Sequence, residues 1–120
     1  MLAANYNITI DRAAEYTFVL TINNQAGTAV NIGSAAFYAD IRDLTTRRKA
    51  TSFTPTILDS GVNGQVSLNL TEANTLALRP SGRYVYDIFM RRSGVTDRLI
   101  EGSVTVRDNA TKGSPIDPTA

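Results

Sequence analysis

The sequence predicts an all-β protein, an antiparallel sandwich of about seven or eight short strands. Three observations carry this. Apolar residues recur at alternate positions through most of the chain, the period of a strand with one buried face. Clusters such as Asn23-Asn24-Gln25-Ala26-Gly27, Ser60-Gly61-Val62-Asn63-Gly64 and Ser93-Gly94 interrupt that pattern at short intervals, as turns do. Only the stretch from Thr71 to Leu78 reads as helical.

In order, Tyr6, Ile8 and Ile10 share one face of a first strand, which ends at Asp11-Arg12. Tyr16, Phe18, Leu20 and Ile22 line a second, with Glu15, Thr17 and Thr21 opposite. A brief segment, Ala29 to Ile32, precedes a long strand in which Phe37, Ala39 and Ile41 alternate with Tyr38, Asp40 and Arg42. Asp43 to Lys49 is the most polar stretch and reads as a hairpin tip. Pro55 has no N–H to donate, so Thr51 to Leu58 belongs at a sheet edge. Val66, Leu68 and Leu70 mark another strand, and Thr71 can cap a single helical turn with Glu72 at its positive end. Pro80 stops that turn. Two long strands follow, Arg83 to Arg91 and a last one with Ile100, Val104 and Val106 inward, where Gly102 marks a bulge or a close contact.

The segment from Leu70 to Met90 makes the architecture more specific. A helical turn, a Pro-Ser-Gly corner and a strand beginning Tyr84-Val85-Tyr86 follow one another. That is the layout of the tyrosine corner in immunoglobulin-like domains, with Tyr84 at the corner, Gly82 opening the strand and Tyr86 where the second Cys would stand. Cys and Trp are both absent, so the inter-sheet disulfide and its Trp partner are missing and packing alone must hold the core.

Length and composition suit one domain, residues 1–107, followed by a polar arm, 108–120, that contains two prolines and should not join the core. A net charge of +1 gives no field to recruit nucleic acid or an anionic membrane. The N-terminus lacks the basic and apolar regions of a signal peptide, and no apolar run approaches a membrane span. The sequons Asn7-Ile8-Thr9, Asn69-Leu70-Thr71 and Asn109-Ala110-Thr111 are therefore read as chance matches. A soluble protein made inside a cell is expected, and no internal repeat marks a solenoid or fibre shaft.

Catalytic chemistry has little to work with. Without His or Cys, a Ser-His-Asp arrangement, a thiol nucleophile and the commonest metal ligands are all lost. A glycosidase needs only two carboxylates, and Asp40, Asp43, Asp87 and Asp97 are the candidates. In a small sandwich such groups pair with nearby Arg or sit at strand ends. No phosphate-binding Gly loop or calcium loop is present. No catalytic residue, cofactor or metal is expected.

Arginine is the distinctive polar residue. Ten of the twelve basic residues are Arg, with clusters at Arg47-Arg48-Lys49 and Arg91-Arg92. These read either as a partner interface that grips carboxylates and carbonyls or as solvated hairpin tips that protect sheet edges. Tyr38 is the one tyrosine expected to point outward, which leaves a sugar-binding face open as a third idea.

Several segments together resemble the immunoglobulin-like domains of tailed-phage structural proteins, in particular the N-terminal domain of upper baseplate proteins and related tail-fibre attachment modules. They are Ile8-Thr9-Ile10-Asp11-Arg12, Glu15 to Leu20, Ala36 to Arg42, Asn63 to Leu68, Gly82 to Ile88 and Glu101 to Val106. Ile32-Gly33-Ser34 stands where such proteins usually have Leu-Thr-Gly. The larger relatives continue into a shaft and receptor-binding head, whereas only residues 108–120 follow here, so the resemblance implies the attachment module alone. It implies a non-enzymatic virion protein, made in the host cytoplasm, that docks in many copies onto tail or baseplate proteins, without nucleic acid or membrane partners. A capsid decoration protein and a carbohydrate-binding adhesin are the alternatives.

Overall fold

A computed structural model describes residues 4–80, 82–111 and 116. The residues of the 108–120 arm numbered 112–115 and 117–120 lie outside the described residues. Among the described residues there are nine strands: β1 (Ala4–Asn5), β2 (Ile8–Asp11), β3 (Tyr16–Thr21), β4 (Ala36–Asp43), β5 (Lys49–Ser52), β6 (Thr54–Ile57), β7 (Gln65–Leu70), β8 (Arg83–Arg92) and β9 (Val95–Arg107). A 3-10 turn at Asp59–Gly61 precedes β7, and helix α1 (Glu72–Leu76) follows it. The chain is all-β.

The strands form two sheets. In the larger the order is β1-β9-β8-β4-β5, with β2 also on β9; in the smaller it is β3-β7-β6. Their inner faces share one apolar cluster, in which Ile10, Ile41, Val66, Leu68, Leu70 and Ile88 are fully buried, so the arrangement is sandwich-like. Phe53 joins the layers, with its ring edge-on to Phe18 of β3 and 6.0 Å from Tyr86 of β8. The predicted alternation holds through the central strands: Phe37, Ala39 and Ile41 are buried, and so are Ile100, Val104 and Val106.

Local chemistry explains the connections. Ser93 and Gly94 both take positive φ, 52° and 79°, the paired left-handed conformation that matches the twist of a two-residue hairpin. Thr71 caps α1 by accepting from the Asn74 N–H, and the Asn74 side chain accepts in return from the Thr71 N–H. The Asp43 carboxylate accepts from the N–H groups of Thr45 and Thr46 and so shapes the β4–β5 tip. Pro55 lies in β6, at the edge of the smaller sheet.

Two expectations are corrected. The sheets are not purely antiparallel, because β1 and β2 run parallel to β9, with Ala4 beside Ile100 and Ile8 beside Val104. The turn after Asp11 carries the chain from the larger sheet to the smaller, so β2 cannot form a hairpin with β3. The brief segment Ala29 to Ile32 begins at a single bridge between Asn23 and Ala29, and the Asn24 side chain closes the turn before it by accepting from Ala26 and Thr28. Tyr6 is not in the core but 52% exposed: β1 ends at Asn5, and one further ladder bond, from the Tyr6 N–H to the Glu101 carbonyl, precedes the break before β2. Of the two readings of Gly102, the close contact is correct. A Cβ there would lie 2.1 Å from the Tyr6 carbonyl oxygen. The bulge is three residues earlier, at Leu99, where the β8–β9 register shifts between Ile88 and Phe89.

Candidate functional site

The outer face of the larger sheet holds a groove of about 670 Å³. Its floor is built by register. Asp40 of β4 faces Asp87 of β8, which faces Glu101 of β9, and Ser52 and Asn5 extend the row on either side. Three carboxylates thus stand in line across adjacent strands, an arrangement that is unfavourable unless cations intervene. Arg42 and Arg98 do so. Arg42 reaches Asp40 at 3.5 Å, while Arg98 lies 3.7 Å from Asp87 and 3.0 Å from Glu101. The Ser52 hydroxyl also donates to Asp40 at 2.7 Å.

Burial pushes the Asp87 carboxyl above its ordinary range. The Arg98 guanidinium opposes that rise, and the neighbouring Asp40 and Glu101 charges reinforce it.

The next row along the sheet is aromatic. Tyr38 and Phe89 are cross-strand partners, and Arg98 lies 5.1 Å from the centre of the Phe89 ring. Tyr38, 58% exposed, keeps an open ring at the groove wall. The opposite wall carries Asn7 and Ser103, joined by a hydrogen bond from the Ser103 N–H to Asn7 Oδ1. The groove therefore offers acceptors, donors and one free ring, with Asp40, Asp87 and Glu101 balanced by Arg42, Arg47 and Arg98.

Sequence reasoning named some of these residues and missed others. Of the four Asp candidates, Asp40 and Asp87 meet here. Asp43 sits at the β4–β5 tip, where the Thr46 and Thr45 N–H groups and then Arg79 hold its carboxyl below the usual range. Asp97 lies near Met90 and Arg92 at the other end of the sandwich. Arg42, Arg98 and Glu101 were missed as site residues. The bulge at Leu99 puts Arg98 and Glu101 on the same face, which strict alternation would separate. Their three-residue spacing near a Gly was the available signal.

The two basic clusters do not come together. Asp43 pairs with Tyr84 and Ala36 with Arg91, so the clusters lie at opposite ends of the eight-residue β4, about 25 Å apart. Arg47 reaches the groove, and Arg48 and Lys49 are exposed on the same tip. At the far end, Arg91 donates to Thr96 and Arg92 to the Asn31 carbonyl.

The two Tyr residues of β8 hold backbone. The Tyr84 hydroxyl accepts from the Arg79 N–H at 2.8 Å, across the corner before the strand. Tyr86 donates to the Tyr6 carbonyl at 2.6 Å, and burial raises its phenol well above the ordinary range. A Cβ at Gly82 would press on the Tyr84 ring at 2.7 Å, so the bare glycine gives that ring its place. No helix among the described residues is long and apolar enough to cross a membrane. No protein-family model matches the chain, and no curated protein matches it in sequence.

Proposed function

We propose that this chain is an immunoglobulin-like docking module of a phage virion, a non-enzymatic structural protein of the tail or baseplate. The strand order is the observation that carries the fold part of this reading. β3, β7 and β6 take the places of strands B, E and D, and β4, β8 and β9 those of C, F and G. The bond from Arg79 to Tyr84 supports it, since a tyrosine corner ties its hydroxyl to backbone a few residues upstream. One strand departs from the seven-strand order: the first runs beside β9 instead of β3. The virion part rests on the resemblance of the strand sequences to phage attachment domains.

Within this reading the groove is the docking face, and its paired Arg and carboxylate groups suit a polar partner surface with matching charges. Arg47, Arg48 and Lys49 belong to the same face, whereas Arg91 and Arg92 would meet a different neighbour. Immunogold labelling of purified virions with an antibody against this chain tests the placement. Label at the tail or its tip is the expected result. Label over the head would transfer the protein to capsid decoration, and unlabelled particles would end the virion reading.

A second reading is favoured by Tyr38. An exposed ring beside a charge-balanced groove of donors and acceptors suits a neutral saccharide, which stacks through its C–H face and bonds through its hydroxyls. On a glycan array this predicts binding that Tyr38→Ala abolishes. An array without signal, or a signal that Tyr38→Ala leaves intact, removes the adhesin alternative.

A further inference from the structure

A sheet edge presents unpaired N–H and C=O groups, and proteins usually blunt it with charge, Pro, a bulge or a break. Among the described residues the two sheets have four edges, and three of them carry such a device. β5 begins at Lys49 and shifts register between Ile41 and Arg42 of its partner. β6 contains Pro55. The β1–β2 edge is interrupted at Tyr6 and Asn7 and ends on Asp11. β3, Tyr-Thr-Phe-Val-Leu-Thr, has neither charge nor Pro, and its register with β7 is unbroken over six residues.

The first strand's departure to β9 is what exposes it. In the B-E-D order a strand A would lie on B; here nothing among the described residues pairs with the outer side of β3.

The direction of its free groups follows from the ladder. The Ile22 N–H donates to the Gly64 carbonyl, and the Leu58 N–H donates to the Gln65 carbonyl. Even residues of β7 therefore bond towards β3 and odd ones towards β6. Since Leu20 pairs with Val66 and Phe18 with Leu68, the even residues of β3 bond inward. Thr17, Val19 and Thr21 point their N–H and C=O groups away from the sheet.

Side chains tell the same story. Tyr16, Phe18 and Leu20 face the core yet remain only partly buried, while Val66, Leu68 and Leu70 beside them are fully buried. On the outer face Val19 is 51% exposed.

We infer that β3 pairs with β3 of a second copy, antiparallel about a two-fold axis through Val19. The strand is self-complementary in that register. Val19 faces Val19 of the partner copy and exchanges both backbone bonds with it. Thr17 faces Thr21 on either side, for about six ladder hydrogen bonds in all. No like charges meet, and Thr–Thr and Val–Val are favourable cross-strand pairs. The half-open Tyr16, Phe18 and Leu20 gain cover from the neighbouring strand. Growth stops at two copies because Pro55 blocks the other edge of the joined sheet, giving a closed two-fold pair. The contact is separate from the groove and goes beyond the docking reading; it holds or fails whatever the groove binds.

The test is solution mass, measured by light scattering or sedimentation up to about 0.1 mM protein. The wild-type chain is expected to dimerise with concentration. Val19→Lys and Val19→Glu, both at an exposed position outside the core, should each weaken the dimer at least about tenfold by placing like charges face to face. Mixing the two variants should restore a heterodimer, while the control Thr56→Lys on β6 should dimerise as wild type does. Circular dichroism verifies that each variant is folded. In the wild type, amide exchange at Thr17, Val19 and Thr21 should slow as concentration rises. A wild type that stays monomeric, a Val19→Lys dimer of undiminished affinity, or a charge-swapped mixture that remains monomeric would each overturn the inference.

Discussion

Asp87 is the residue on which the charge of the groove turns. It sits between two other carboxylates in register, and its partner Arg98 is shared with Glu101. Burial raises its carboxyl above the value it has in the unfolded chain, so the folded state holds that proton more tightly. The resulting stability is present in acid and is lost as pH rises through the folded value. At neutral pH the ionised group is a net cost that Asn would not carry. Asp87→Asn is expected to stabilise the fold near neutrality by no more than ~1 kcal/mol, the scale of solvent-screened charges. The gain should disappear in acid, where Asp87 is protonated. Melting temperatures of both proteins across pH check this, and a gain that grew towards acid would contradict the assignment.

Among the elements, β1 is the most weakly held. It has two residues in register with β9 and is continued by the bond from the Tyr6 N–H to the Glu101 carbonyl. Tyr86 then fixes the Tyr6 carbonyl from below, and Gly102 lets that carbonyl approach the sheet. Removing the hydroxyl leaves the carbonyl without this donor. Tyr86→Phe should lower stability by ~1 kcal/mol and speed amide exchange at Asn5 and Tyr6 more than at Ile41 or Ile88. Equal acceleration throughout would mean that Tyr86 supports the core as a whole and not the N-terminal strand. Helix α1 is a contrasting case, since its cap was legible in Thr71, while the structure adds the reciprocal bond to the Asn74 side chain.

For the whole molecule, the two faces of the sandwich differ in kind. The larger sheet presents the charged groove, whereas the smaller presents Thr17, Val19, Thr21, Gln65, Ser67, Asn69, Thr54 and Thr56, none of them charged. Pairing through β3 would leave both grooves free on the opposite layer, so one copy could meet its twin and a partner at once. The basic clusters at opposite ends likewise fit contacts with more than one neighbour.

Much of this was readable from the chain, because the signals are local. Alternation selects the buried faces of β4, β7 and β8; Pro55 places β6 at an edge; Ser93-Gly94 makes the hairpin; Pro80 and Gly82 bracket the corner before Tyr84. The groove was only partly legible. Asp40, Asp87 and Tyr38 were named individually, but their meeting with Arg42, Arg98 and Glu101 depends on three strand registers and on the bulge at Leu99. A period of two says which side of a strand a residue faces, not which strand lies beside it or in which direction.

That distinction divides the protein's properties. The sequence by itself determined the all-β class, most of the inward-facing residues and the turns, since φ preferences and side-chain alternation act over a few neighbouring residues. Tertiary structure alone decided that the first strand runs parallel to the last, that a row of three carboxylates is bridged by two arginines from outside that row, and that β3 is left uncovered. Each of these comes from pairing between segments far apart in the chain, where the same open N–H and C=O groups can accept more than one neighbour and packing of the shared core selects among them.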